Sequence, residues 1–186
     1  MKKSLFTSAT ALIAGAVIAL AAPLAASAHV GIDPNQSDPG TYPLNTFKVP
    51  TESATATTAK IELALPQDTP FGFVSYTPVE GWTTELVKET LPEPVVTDDG
   101  EVTEAVTKVI WTAEPGSELT AEQYGLFPLV RGPVPDTGSV VLAVDQTYSD
   151  GTVVSWSETG ADAEFPAPVL YVNDVPESGM ARLSSG

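Results

Sequence analysis

The chain has 186 residues, eight basic and 24 acidic side chains, one histidine and no cysteine, for a formal charge of −16. The missing cysteines exclude disulfides, zinc–thiolate sites, thiol catalysis and type 1 copper centres. The acid excess disfavours nucleic acid and anionic membrane surfaces, which call for clustered Lys and Arg, and suits cations or basic partners; it also keeps an extracellular protein soluble.

Lys2 and Lys3 open the chain, an apolar run from Ala9 to Leu24 follows, and Ala26-Ser27-Ala28 closes it. This is the charged, apolar and small-residue order of a cleaved secretory leader. Residues 1–28 are therefore expected to be a signal peptide, and the product to be secreted, in the extracellular space or cell envelope, without stable membrane insertion. Loss of Lys2 and Lys3 takes the formal charge from −16 to −18.

Downstream, short β patterns alternate with turn signals. Ile61, Leu63 and Leu65 share one face of a strand, Phe71–Tyr76 is aromatic and β-rich, and Val109-Ile110-Trp111 lies in a third strand. Glu89–Glu104, with Pro92, Pro94 and Asp98-Asp99-Gly100, reads as a long hairpin tip or exposed loop. Val140–Tyr148 reads as one longer strand, and Asp150-Gly151 after it predicts a type I′ hairpin. Pro166 and Pro168 precede a last short strand at 169–172, and seventeen prolines break up long helices. The expectation is an all-β sandwich over residues 29–172, followed by a polar, disordered tail at 173–186.

Cleavage after Ala28 makes His29 the first residue. Its free α-amine and imidazole Nδ1 then close a chelate ring on one metal ion. The amine titrates near pH 8, roughly, so its lone pair is accessible at modest cost. Imidazole suits Cu, Zn, Ni and Fe, and Cu(II) leads the divalent affinity order. Asp33 and Asp38 lie close by in sequence and lend negative charge without having to be ligands.

Several segments in order resemble the YcnI-like family of secreted copper-binding proteins. They are His29-Val30-Gly31-Ile32-Asp33-Pro34, Phe47-Lys48-Val49-Pro50-Thr51-Glu52, Thr58 to Pro66 before Asp68, and Pro78-Val79-Glu80-Gly81-Trp82. Further along come Val109-Ile110-Trp111, Phe127 with Gly132-Pro133-Val134-Pro135, Tyr148 through Trp156, and Pro166-Ala167-Pro168-Val169. Residues 121–127 depart from the family pattern. The resemblance implies an immunoglobulin-like (Greek-key) β-sandwich that binds one Cu(II) per chain through a one-histidine brace. His29 matches the terminal histidine, Glu52 the carboxylate ligand and Trp156 the tryptophan beside the metal. Glu158, two residues past Trp156, is the fallback carboxylate. The implied role is a copper chaperone or a factor in copper acquisition and homeostasis, working alongside membrane copper transport proteins.

Two other classes fit parts of the sequence. A metal-free extracellular interaction domain satisfies the composition. A copper-dependent oxidative enzyme shares the brace but needs a second histidine, and a Ser–His–Asp hydrolase would need His29 as its base with no G-x-S-x-G elbow in sight. The expectation is a protein that is not an enzyme.

Overall fold

The computed structural model describes residues 29–97 and 100–176. The expected leader, Asp98, Asp99 and the end of the tail lie outside them. Among the described residues there is no helix, and none long and apolar enough to cross a membrane.

Eleven strands follow in order: β1 (Gly31–Asp33), β2 (Leu44–Pro50), β3 (Thr58–Ala64), β4 (Phe73–Tyr76), β5 (Trp82–Thr97), β6 (Gly100–Ala113), β7 (Tyr124–Gly132), β8 (Ser139–Val141), β9 (Val144–Tyr148), β10 (Val153–Trp156) and β11 (Val169–Tyr171). One sheet runs β1-β2-β7-β4 and the other β10-β9-β3-β6-β5; β8 and β11 form a small third sheet. All named pairings are antiparallel.

Alternation decides which residues enter the core. Ile61 and Leu63 in β3 and Leu65 just beyond are buried, as their spacing predicts, against Phe47 and Val49 of β2 and Phe127 and Leu129 of β7. Trp111 is fully buried between Phe47 and Phe127, with ring centroids 6.4 and 5.3 Å away. Trp82 meets Phe127 edge-on at 5.0 Å, so both tryptophans are packing residues. Glu89–Glu104 is a hairpin rather than a free loop, because β5 and β6 stay paired out to Thr97↔Gly100, with a register shift between Thr90 and Val95.

Two local expectations are corrected. Val140–Tyr148 is two strands in different sheets. β8 pairs with β11, the chain crosses at Leu142-Ala143, where Leu142 N–H donates to Pro168 O, and β9 pairs with β3 and β10. The Asp150-Gly151 turn is not type I′, which requires positive φ at both central residues. Gly151 has a φ of 86° but Asp150 is not left-handed. Instead Tyr148 O accepts from Gly151 N–H and Tyr148 N–H donates to Thr152 O, a three-residue loop closed by a left-handed glycine. Asp150 Oδ1 accepts from Thr152 N–H at 2.9 Å, and that bond lowers the Asp150 pKa.

The start of the expected tail is held in place. Asn173 Nδ2 donates to Asp136 Oδ1 and Thr137 O, and Asp174 N–H donates to Gly138 O. Residues 177–186 lie outside the described residues.

Candidate metal centre

β1 is the edge strand of one sheet and β10 the edge strand of the other. His29 immediately precedes β1, and Trp156 ends β10. The two edges meet there, with the His29 imidazole 6.0 Å from the Trp156 ring, centroid to centroid, and tilted by 58°. His29 is exposed and Trp156 is 0% exposed, so the indole forms a buried wall beneath an accessible imidazole.

Glu52 reaches the same end of the sandwich through β2. The β1–β2 register pairs Gly31 with Lys48; continued by two residues, it sets His29 level with Pro50, two positions before Glu52. Tyr148, buried at the end of β9, marks the spot from the other sheet. Burial pushes its phenol above the usual range. The Glu52 backbone N–H bonded to the phenol opposes this, and the negative charges of Glu52 and Asp150 reinforce it.

The indole is fixed from three directions. Its Nε1–H donates to Gln146 Oε1 at 3.0 Å, Phe165 packs edge-on at 5.6 Å, and the backbone pairs with Val144. Glu158 is exposed and holds the adjoining loop, with Oε2 accepting from Glu164 N–H at 2.7 Å and Phe165 N–H at 3.1 Å. Asp33 is drawn to Lys48 at 3.1 Å.

The structure thus brings His29, Trp156 and the Pro50–Glu52 segment to one end, and gives Glu158 a loop-holding contact of its own. Sequence reasoning missed Gln146 and Tyr148. Their signal is the two-residue period of β9, which turns Val144, Gln146 and Tyr148 inward together.

Among the described residues no group of three or more His, Asp or Glu side chains forms a metal cage. One imidazole and one carboxylate would need a further nitrogen to hold a single ion, and the amine of His29, were it the first residue, would be such a donor.

The two-sheet architecture is that of an all-β, immunoglobulin-like sandwich. Residues 29–172 match the family described as a domain of unknown function, DUF1775, and the chain belongs to this YcnI-like family. It is 29% identical over 177 residues to the copper-binding protein CutI of Bacillus subtilis (strain 168), covering 95% of this chain and 76% of that protein. It also resembles a solved structure from Nocardia farcinica, described as an uncharacterized protein with an immunoglobulin-like fold. That match has a TM-score of 0.61 and 34% identity, and covers 77% of this chain and 97% of that one.

Proposed function

We propose that this is a secreted Cu(II)-binding protein that handles copper outside the membrane and performs no catalysis. In this reading the leader is cut after Ala28, and one Cu(II) is held by the amine and imidazole of His29 and the carboxylate of Glu52, beside Trp156. The observation that carries it is the His29–Trp156 contact at the strand end from which Glu52 emerges. Two further points support it. The family match begins at residue 29, and the relative from Bacillus subtilis is a copper-binding protein.

Nitrogen and oxygen donors favour Cu(II), whereas Cu(I) prefers thiolate and thioether. The chain has no cysteine and two methionines, one of them Met1. With a single histidine, the ion lacks the second imidazole of an oxidative brace, which favours carriage as a chaperone or acquisition factor. Passage of copper to or from membrane transport proteins belongs to the same reading.

Cu(II) titration with electron paramagnetic resonance tests it on the chain starting at His29. One Cu(II) with nitrogen hyperfine structure is expected. His29→Ala should abolish that signal, and Glu52→Gln should weaken affinity by at least about tenfold, roughly 1.4 kcal/mol. Unchanged affinity in His29→Ala would sink the copper reading. Absence of Cu(II) binding by the chain starting at His29 would instead leave the metal-free interaction domain, which the exposed side chains Leu44, Phe73, Tyr124 and Leu126 would suit.

A further inference from the structure

The inward row of β9 runs Val144, Gln146, Tyr148, and its middle position is an amide. Gln146 is 0% exposed, and both of its polar atoms are engaged at the site. Oε1 accepts from Trp156 Nε1–H at 3.0 Å. Nε2 donates to Pro50 O and to Thr58 Oγ1, each at 2.7 Å. Thr58 Oγ1 in turn pairs with Thr51 Oγ1 at 2.8 Å. One buried side chain therefore ties β10, which carries the indole facing His29, to the end of β2, two residues before Glu52.

An apolar side chain of the same size would fill this space without needing partners. A buried amide is stabilising only while its donors and acceptors are all satisfied, and such a network fixes one geometry. The partners that satisfy Gln146 are the indole beside His29, the backbone leading into Glu52 and the Thr58 hydroxyl. Groups behind metal ligands set ligand orientation, and removing one typically weakens metal affinity by about 10–100-fold.

We propose that Gln146 is a positioning residue for copper binding: its amide fixes the spacing between the Trp156 indole and the Pro50–Glu52 segment, so that His29 and Glu52 meet one ion. The inference rests on the copper reading above. It has a corollary, because the indole N–H is committed to Gln146 and Trp156 offers His29 and the ion only its ring.

The test compares the chain starting at His29 with its Gln146→Met and Thr58→Val variants. Wild type is titrated with Cu(II) first, and absence of binding there overturns the copper reading itself. Folded Gln146→Met, with an unchanged far-ultraviolet circular dichroism spectrum, should bind Cu(II) at least about tenfold more weakly. Its single paramagnetic resonance spectrum should become a mixture, although His29 and Glu52 are untouched. Thr58→Val keeps the bonds to Trp156 and Pro50, and should lose stability while retaining the wild-type copper spectrum. A folded Gln146→Met with wild-type affinity and spectrum overturns the proposal while leaving the copper reading intact. Should Gln146→Met not fold, nuclear magnetic resonance of wild type decides. The Trp156 indole N–H and Gln146 side-chain amide signals should both shift as Zn(II), a diamagnetic probe, saturates His29; signals that stay in place while the His29 ring signals move overturn the proposal.

Discussion

Replacing Arg131 with methionine should make the protein more stable. Arg131 lies on the inward row of β7 with Phe127 and Leu129 and is 0% exposed. Its Nε, Nη1 and Nη2 have no hydrogen-bond acceptor among the described residues. What faces the guanidinium are two aromatic rings, Phe71 at 5.2 Å and Phe47 at 5.6 Å. Burying an ion costs several kcal/mol, and each desolvated cation–π contact returns up to about 2 kcal/mol. Methionine keeps the unbranched chain, removes the charge and regains roughly 0.3–1.5 kcal/mol of sulfur–aromatic contact. The balance is a gain of about 1–3 kcal/mol, or about 2–12 °C in Tm for a chain of this length. Urea unfolding at pH 7 reads it directly. Burial also lowers the guanidinium pKa to about 10. As pH rises past that value the folded chain gives up the proton more readily than the unfolded chain, so wild-type stability should rise relative to the methionine variant. A variant that loses more than about 1 kcal/mol would refute this reasoning and point to an acceptor for the guanidinium.

Glu62 bonds Lys60 at 2.6 Å and Lys108 at 3.2 Å, and its pKa is lowered, chiefly by the Lys60 bond. Its contribution is present above the usual carboxylate range and lost as pH falls through the depressed folded value, so Glu62→Gln should show a shallower loss of stability on acid titration. Gly81→Ala should cost about 1–3 kcal/mol in urea unfolding, because Gly81 has a φ of 73° and an added Cβ would strike the Ser117 side chain. Glu158→Gln should leave Cu(II) affinity within about twofold while loosening the loop to Phe165, as seen by hydrogen exchange of Glu164 and Phe165; a tenfold loss would make Glu158 the carboxylate ligand in place of Glu52.

Local sequence carried the strands whose alternation faces one core, such as Ile61, Leu63 and Leu65. The family resemblance carried the Pro78–Trp82 segment, where Gly81 adopts the positive φ and Trp82 N–H donates to Val79 O. Local sequence failed where a decision is made at long range. The run Val140–Tyr148 contains no Gly or Pro to mark the crossing at Leu142-Ala143, because Pro168 O takes the Leu142 N–H from a distant segment. Asp-Gly serves two hairpin loops, and sequence alone does not choose between them. Arg131 and Gln146 escaped notice because such residues are ordinarily exposed, and only the strand period turns them inward. Of the candidate site, His29 was proposed from the leader pattern, and Glu52 and Trp156 only from a family resemblance. The approach of His29 to Trp156 depends on edge strands of two sheets meeting, and no local spacing records that.

In the proposed function, a cut after Ala28 creates half of the copper site. The most direct measurement compares Cu(II) affinity, in the same buffer, of the chain starting at His29 and one carrying a single alanine before it. One tightly bound Cu(II) is expected in the first and at least about a tenfold loss in the second, about 1.4 kcal/mol or more, with loss of the amine nitrogen from the paramagnetic resonance spectrum. Equal affinity and identical spectra in the two would contradict the proposed function.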